Sequence, residues 1–412
     1  MKNKTLFLLL VIFSISLYGQ KKPFTIEEFY KVKTVGSPVL SNSGERIAYS
    51  VTEYDLPTAK TISTVYVMNK NGSSLESISD KLPGAYSPFW SVNDELFLLS
   101  KGQLYKYSFD TDKVEQLTDF YPGVSAPVVS NDGRYIAFTA DLFPECGTDN
   151  DCNKKLDESS TNGPVQAYIA DKQMYRHWTE YKGEKETYLI LYDMVEKKYE
   201  TITSSDVLSG TYMLGGGPKY AFSPDSRILA YVSTPEKNIA ASTNTDIYLL
   251  PIGSKEAVNI TFANNAWDGT PVFSPDGKYI AYRTHTIPGY EADRFRVAVY
   301  DIKALQSQTL TEAFDYTTSD LSWSPDSKSI YFTANVQGYN PVFKVDAVSK
   351  VVTKITDDKA VRGYQISKDQ QTLFLNFSSV DKPGEIYSYS VNGGVYSQIT
   401  FYNKKLAEEV DI

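Results

Sequence analysis

Hydrophobic and polar positions along the chain repeat one pattern seven times: a short apolar strand, a turn that begins with serine, and a second apolar strand. In the clearest copy, PVFSPDGKYIAYR from Pro271, the Ser-Pro-Asp-Gly segment has the residue preferences of a type I turn. The residues that follow, such as Tyr279 and Ile280, favour strands. The pattern therefore predicts seven β-hairpins, whose turn serines are Ser41, Ser91, Ser130, Ser223, Ser274, Ser324 and Ser367.

A second hairpin follows each of these, as in RVAVYDIKALQSQTLT at residues 296–311, and every copy ends in Ile or Leu followed by Ser or Thr. Two hairpins make a four-stranded antiparallel sheet, which cannot bury both of its apolar faces alone. Radial packing of such sheets buries these faces and leaves only short edges. We therefore predict an all-β chain that forms a seven-bladed β-propeller of four-stranded antiparallel blades. The alternative, a β-sandwich of irregular strands, does not predict a recurring turn.

The phase of the repeat predicts how the ring closes. The first copy begins with an innermost strand and the last ends with an outermost strand at Thr400, so we expect no interlocking closure strand between the chain ends. Because the strands alternate in direction, all connections between second and third strands should lie on one face. The long ones, at residues 53–62, 140–186, 233–245 and 285–295, should therefore crowd that face, where long loops usually carry the function.

The longest of these insertions, residues 140–186, forms one inserted arm in blade three. Its first half is polar and is expected to be a loop. It contains Cys146 and Cys152, which either form a disulfide or remain two free thiols. Residues 149–151 are Asp-Asn-Asp, as in a calcium loop, but Lys154 and Ser160 stand where that loop needs Gly and Glu, so no metal site is predicted.

The segment YRHW at residues 175–178 groups the most chemically capable side chains of the arm. Arg176 can clamp a carboxylate or a peptide carbonyl, and Trp178 can form an apolar wall. With His177, these two residues are candidates for substrate binding. The alternative is that they fasten the arm to the ring by stacking and hydrogen bonds.

Composition narrows the possible functions. The chain has 41 Lys and Arg against 50 Asp and Glu, a formal net charge of −9, which argues against nucleic acid as a partner. Two cysteines cannot build a thiolate metal cage, and two histidines allow little acid–base chemistry. The sequence contains no Gly-x-Ser-x-Gly, no His-Glu-x-x-His and no phosphate-binding glycine loop. We therefore expect no catalytic residue, metal or cofactor in this chain.

The first residues predict export. Two lysines within residues 1–4 precede the apolar run TLFLLLVIFSISL and the small residue Gly19, which is typical of a secretory signal peptide at residues 1–19. The alternative is an uncleaved anchor, although the apolar run is short for a membrane span. We expect a mature protein in the periplasm or secreted, without a membrane span. An oxidising compartment of this kind favours the Cys146–Cys152 disulfide.

The repeats, such as FSPDGKYIAY at residues 273–282, resemble the propeller of prolyl oligopeptidase family serine peptidases and also that of TolB-type periplasmic proteins. FTIEEFY at residues 24–30 resembles the short helix that precedes the first blade of these peptidases. LFPECG at 142–147 and NGPVQAYIADKQMYRHW at 162–178 resemble the arm of the bacterial dipeptidyl-peptidase V branch. ITFYNKKLAEEVDI at 399–412 is similar to the family's exit from the propeller into an α/β-hydrolase domain.

After the predicted signal peptide at residues 1–19, this resemblance implies a helical lead-in at 20–37 and a propeller at 38–403 that includes the arm at 140–186. Residues 404–412 would then begin a linker toward an α/β-hydrolase domain that carries the catalytic Ser, Asp and His. The resemblance also implies that Glu145, in the matching arm, pairs with the free amine of a peptide.

We therefore expect the non-catalytic, substrate-gating propeller of an exported serine oligopeptidase or dipeptidyl peptidase. One alternative is a stand-alone TolB-type scaffold that binds protein partners. Another is a propeller enzyme that acts on sugars through carboxylates around its central channel. If a hydrolase domain covers one face, that face should expose apolar side chains in this chain.

Overall fold

The computed structural model describes residues 21–163, 167, 176–177, 180–181, 183–203, 219–236 and 241–411. The predicted signal peptide lies outside these residues. Within them the strands form seven four-stranded antiparallel sheets, which confirms the predicted seven-bladed β-propeller. None of the described helices is long and apolar enough to cross a membrane.

Each blade is built by one continuous stretch of chain, with its strands in sequence order. In blade one the innermost strand is broken into two pieces that pair with the same neighbour. The strands of blades one to three are Thr34–Val35 with Val39–Leu40, Arg46–Asp55, Lys60–Asn69 and Glu76–Ser77; Tyr86–Trp90, Leu96–Ser100, Gln103–Ser108 and Lys113–Gln116; and Ser125–Val129, Tyr135–Leu142, Glu186–Asp193 and Lys198–Thr201.

The remaining four blades follow the same order. Their strands are Tyr220–Phe222, Ile228–Ser233, Asp246–Pro251 and Val258–Asn259; Asp268–Phe273, Tyr279–Thr284, Arg296–Asp301 and Gln306–Thr309; Thr318–Trp323, Ser329–Ala334, Val342–Asp346 and Val352–Lys354; and Ala360–Ile366, Thr372–Ser379, Lys382–Ser390 and Val395–Gln398.

The serine turns have the predicted geometry. In all seven, the fourth residue donates its backbone N–H to the carbonyl of the serine, as Gly277 does to Ser274 at 2.9 Å. That fourth residue has a left-handed backbone, which suits glycine, yet four turns use another residue. The exceptions have a reason in at least two cases: Ser327 accepts a hydrogen bond from the N–H of Asp276 in the preceding blade, and Ser226 does the same for Asp132.

The hydrophobic core lies between neighbouring blades. Val65 and Val67 of blade one pack against Leu96 and Leu98 of blade two, and all four are almost fully buried. Burying a side chain of this size contributes about 1.5–3 kcal/mol. The repeat therefore makes each blade depend on its neighbours for stability, which favours a closed ring.

The ring closes as predicted, because no described blade takes strands from both chain ends. The ends are nevertheless joined outside the blades. Lys22–Pro23 pairs in parallel with Val410–Asp411, and the side chain of Asn403 accepts a hydrogen bond from the N–H of Lys33 at 2.8 Å and donates one to its carbonyl at 2.9 Å. The sequence analysis predicted the start of a linker at residues 404–412. It predicted neither the pairing of Lys22–Pro23 with Val410–Asp411 nor the helix Lys404–Glu409 that precedes Val410.

Two further short helices flank the site described below. The lead-in helix, Ile26–Phe29, begins at Thr25, whose hydroxyl accepts the N–H of Glu28, and it lies where the sequence predicted it. The arm helix, Asn150–Asn162, lies in the half of the arm that was expected to be a loop, so that expectation was wrong. Its polar sequence forms a helix because Asp149 caps the first turn and the buried Asn153 bonds to the chain before it.

Candidate functional site on the loop-bearing face

Strand alternation places both ends of the described chain and all long connections between second and third strands on one side of the ring, called here the loop face. Four connections define it: residues 53–62 of blade one, the arm at 140–186, residues 233–245 of blade four, and residues 286–295 of blade five, called here the blade-five loop. The last three lie where the sequence analysis expected loops, whereas in blade one the two strands stay paired up to Asp55 and Lys60, so that only residues 56–59 form the connection. Long loops on a rigid scaffold usually carry the function, so the loop face is the candidate functional surface.

The arm is anchored to the ring at its base. The amide of Asn150 accepts the N–H of Tyr121 and donates to the carbonyl of Asp119, both in the link between blades two and three. Farther along the arm helix, Asp157 accepts a hydrogen bond from the hydroxyl of Tyr121 at 2.8 Å and pairs with Lys185 at 2.5 Å. These contacts hold the arm helix against the ring.

The two cysteines of the arm, Cys146 and Cys152, are joined in a disulfide. The bridge links the turn before the arm helix to its first turn. The side chain of Asn153 spans the same segment, because it accepts the N–H of Phe143 and donates to the carbonyl of Gly147. The base of the arm therefore has both a covalent and a polar connection.

The four candidate binding residues lie in two parts of the arm. Arg176 and His177 form a two-residue strand that pairs with Glu180 and Tyr181. Trp178 lies outside the described residues. Glu145 is exposed in the turn before Cys146, next to the disulfide. Their joint role in substrate binding stays a prediction.

Sequence reasoning missed a cluster of buried polar and aromatic residues in blade five. His285 was read only as a loop residue, but it is 1% exposed and its ring lies 4.0 Å from that of Phe295 and 6.0 Å from that of Trp267. The guanidinium of Arg283 lies over the same two rings, at 4.6 Å from Phe295 and 5.5 Å from Trp267. No local pattern in the sequence groups Trp267, Arg283 and His285, which lie at or next to the ends of the two innermost strands of blade five.

One glycine allows this cluster to form. The indole ring of Trp267 lies on the backbone of Gly269, where a Cβ atom would come within 2.4 Å of the ring. A side chain at position 269 would therefore push the indole away from His285 and Arg283. The Asp-Gly pair at 268–269 consequently serves packing here and is not a hairpin turn.

On the opposite side of the same strand, Asp268 faces two residues of blade four, Asp246 and Thr261, because adjacent strand residues point to opposite faces. Its Oδ1 atom accepts a hydrogen bond from Asn264 at 3.1 Å, and its Oδ2 atom has no hydrogen-bond partner among the described residues. Burial raises the pKa of Asp268 to about 7, and the nearby carboxylate of Asp246 adds to this shift. Asp268 therefore carries a proton over much of the range below neutral pH.

The blade-five loop is organised by one carboxylate. Asp293 accepts the backbone N–H groups of Thr286, Ile287 and Arg294 and pairs with Arg296. These donors lower the pKa of Asp293 to about 2, against the opposing effect of burial. At the tip of the loop, Gly289 donates its N–H to Thr243 of the blade-four connection at 3.0 Å.

Large apolar side chains are exposed mainly on the loop face. Every exposed aromatic residue of the described chain lies in the lead-in, in a second-to-third-strand connection, or in or beside a link between blades. The set is Phe24, Phe29, Tyr30, Tyr54, Tyr86, Tyr181, Phe262, Tyr290, Tyr316, Tyr339 and Phe401. The large apolar residues exposed elsewhere are isolated Val and Leu residues of outer hairpins and first turns, such as Leu305 and Val348. The apolar face expected from the resemblance is therefore present.

The opposite face has a crevice of about 400 Å³ between blades two and three. Its lining is mostly charged and polar, and Lys106 lies there between Glu95 and Glu115 at 3.3 and 3.4 Å. These charges already pair with one another. Among the described residues, no group of three or more His, Cys, Asp or Glu side chains is arranged to hold a metal ion.

Comparison with known proteins agrees with this architecture. No family model matches the chain. A curated relative, dipeptidyl-peptidase 5 of Porphyromonas gingivalis, is 26% identical over 402 residues, which cover 94% of this chain and 57% of the relative. This chain is therefore similar to dipeptidyl-peptidase 5 over most of its length. The predicted resemblance to prolyl oligopeptidase family peptidases is thereby confirmed, although the chain spans only a little over half of that relative's length.

Solved structures show the same fold. An acylaminoacyl peptidase in complex with Z-Gly-Gly-Phe-chloromethyl ketone matches with a TM-score of 0.71 at 14% identity, over 94% of this chain and 56% of that one. The β-propeller domain of the Trilobed protease from Pyrococcus furiosus, which has an open velcro topology, matches with a TM-score of 0.62 at 12% identity, over 90% of this chain and 99% of that one.

Proposed function

We propose that this chain is the propeller part of an exported peptidase, in which it screens peptide substrates for a catalytic domain encoded outside these 412 residues. The observation that carries the proposal is the concentration of exposed aromatic side chains on the loop face. Apolar surface of this kind is costly in water and is typical of a face that another domain covers. The homology to dipeptidyl-peptidases that extend well beyond the matched region supports the same assignment.

Within this proposal the arm contributes to peptide binding. Glu145 is exposed beside the disulfide, where its carboxylate can pair with the free amine of a peptide. Arg176, His177 and Trp178 supply contacts to the peptide backbone. The anchoring contacts of Asn150 and Asp157 hold the arm in place, so that these residues need not fasten it to the ring.

The test is co-expression of this chain with a serine hydrolase domain encoded next to it, with an affinity tag on the hydrolase only. We expect the two polypeptides to purify together and to release dipeptides from peptides with a free amino terminus. Folded proteins should be excluded, because the propeller covers the active site. The absence of a neighbouring hydrolase sequence, or separate elution of the two chains, would overturn the proposal.

Two substitutions locate the contact. Replacing Phe29 and Phe401 by Ser should weaken co-purification, since both rings are exposed on the loop face, at 58% and 54%. The matched control is Val348→Ser, which removes an exposed apolar side chain from an outer hairpin on the other side of the ring. Equal loss in both variants would indicate a general effect on folding and not a docking face.

An alternative function is a stand-alone exported scaffold that binds protein partners. The contacts between Asn403 and Lys33 and the pairing of Lys22–Pro23 with Val410–Asp411 favour it, because they hold these two segments together without a second domain. Under this alternative the tagged hydrolase recovers no propeller, and the tagged propeller recovers a different exported protein. A second purification, with the affinity tag on the propeller instead of the hydrolase, therefore separates the two functions.

A further inference from the structure

His285 lies in an unusual position for a histidine. Its ring is packed between Phe295, at the end of the blade-five loop, and Trp267, and only 1% of its surface is exposed. Neither of its ring nitrogens has a hydrogen-bond partner among the described residues. Buried polar atoms are nearly always hydrogen-bonded, and these two nitrogens are an exception. The ring is therefore held by stacking and not by polar contacts.

The charged groups around His285 are mostly cationic. Arg283, on the same strand, stacks on Phe295 and Trp267, and Arg296 lies at the start of the next strand. One carboxylate, Asp293, lies in the loop, and its two oxygens already accept hydrogen bonds from the loop backbone and from Arg296. Glu312, in the link between blades five and six, pairs with Arg296. The carboxylate of Asp320 in blade six favours the charged form of Arg283. Asp268 and Asp246 lie on the other side of the strand, toward blade four.

A proton on this ring would therefore be unfavourable. Burial lowers the pKa of His285; the two arginines reinforce the shift, and Asp293 opposes it. The imidazolium would add a third positive charge to a cluster in which the carboxylates are already paired. Movement of His285 into water would relieve this charge, but it would break the stacking with Phe295 and free the end of the blade-five loop.

We propose that His285 is a pH-sensitive latch for the blade-five loop: the neutral ring holds the loop closed, and the protonated ring releases it. The loop carries Ile287 and Tyr290, which are 48% and 52% exposed on the loop face. Release of the loop therefore changes the surface that this face presents. Whether this change weakens the docking of a catalytic domain rests on the proposed function, but the latch itself does not.

The experiment follows proton binding and loop motion in the purified chain alone. The chain contains only two histidines, so a His177→Gln variant leaves the ring of His285 as the single imidazole signal in a nitrogen-detected NMR titration. We expect this ring to titrate below the ordinary histidine value of about 6.5. Amide hydrogen exchange of residues 286–295, read by mass spectrometry and corrected for the intrinsic pH dependence of exchange, should lose protection over the same pH range.

The matched variant is His285→Phe, which keeps an aromatic ring between Phe295 and Trp267 but cannot bind a proton. Below the pH at which His285 titrates in the His177→Gln protein, the loop of this variant should exchange several-fold more slowly than that of the His177→Gln protein, and at about pH 8 the two should agree. His285→Gln gives a second non-titrating variant if the phenylalanine does not fit. Titration of His285 at or above the ordinary value, or a loop that loses protection in acid as much in the non-titrating variants as in the His177→Gln protein, would overturn the latch. The experiment uses the propeller chain alone, without a catalytic domain, so neither result bears on the proposed function.

Discussion

The hydroxyl of Thr311 accepts a hydrogen bond from the backbone N–H of Val297, fourteen residues earlier, at 2.8 Å. The same bond occurs in every blade, with Ser79, Thr118, Thr203, Thr261, Thr356 and Thr400 as the other acceptors. This explains why each repeat ends in Ser or Thr. The fourth strand stops there, and the hydroxyl takes over the third strand's next N–H, which would otherwise be buried without a partner.

Replacing Thr311 by Val should therefore lower the free energy of unfolding by about 1–3 kcal/mol, because the shape is kept while the N–H of Val297 loses its acceptor. Urea unfolding monitored by tryptophan fluorescence measures this. The control is Thr311→Ser, which keeps the hydroxyl and removes only a methyl group. If both variants lose the same stability, the methyl packing and not the hydrogen bond is what the threonine provides.

Asp268 should make the protein less stable as the pH rises. The folded-state pKa of Asp268, about 7, lies above its unfolded value. Its contribution to the free energy of unfolding is therefore fully present below about pH 4 and is lost as the pH rises through 7. Asp268→Asn keeps the Oδ1 acceptor for Asn264 and cannot ionise. We expect this variant to gain stability relative to the parent as the pH increases from about 5 to about 9, measured by urea unfolding.

Asp293 is the matched control for this experiment, since its pKa of about 2 lies below the unfolded value. Its contribution is present above about pH 4 and is lost as the pH falls toward 2. Asp293→Asn should therefore be less stable than the parent at neutral pH, and the difference should shrink in acid. Two aspartates of one blade that gave the same slope would contradict the assigned environments.

Asn403 should be a major determinant of ring closure. Its side chain bonds to both backbone groups of Lys33, and its own N–H donates to the buried carboxylate of Glu385 at 2.8 Å. Asn403→Ala leaves the backbone groups of Lys33 without these partners and should cost about 2–4 kcal/mol. Limited proteolysis should then cut the lead-in earlier than in the parent. Lys404→Ala, which removes only an exposed ion pair, should change the stability by less than about 0.5 kcal/mol.

Asp157 should fasten the arm without stabilising the ring. Asp157→Ala removes the acceptor of Tyr121 and the partner of Lys185, so the arm should be cut faster by proteases while the main unfolding transition stays nearly unchanged. Lys154→Ala, on the exposed side of the same helix, is the control. A large drop in overall stability would instead mean that the arm is part of the cooperative core.

The sequence determined the blades, because the turn serine and the final Ser or Thr are local requirements that recur in each copy. Ser274 and Thr311 each satisfy backbone groups within their own blade, so their roles can be read without knowing their neighbours. The number of blades and the position of the long connections follow from the same count. The disulfide pairing involved only two cysteines and left a single intramolecular choice.

The tertiary structure alone decided what depends on contacts between distant segments. The sequence could not tell that His285 is buried against Phe295 or that Asp268 of blade five faces Asp246 of the neighbouring blade four. Nor could it tell that Asn403 bonds to Lys33, which lies 370 residues earlier. It also missed the arm helix, whose polar residues carry no apolar periodicity and which depends on the Asp149 cap and on Asn153. Local patterns fix a repeat because each copy satisfies its own backbone. Burial and charge environment are set by the neighbouring blades, which no local pattern describes.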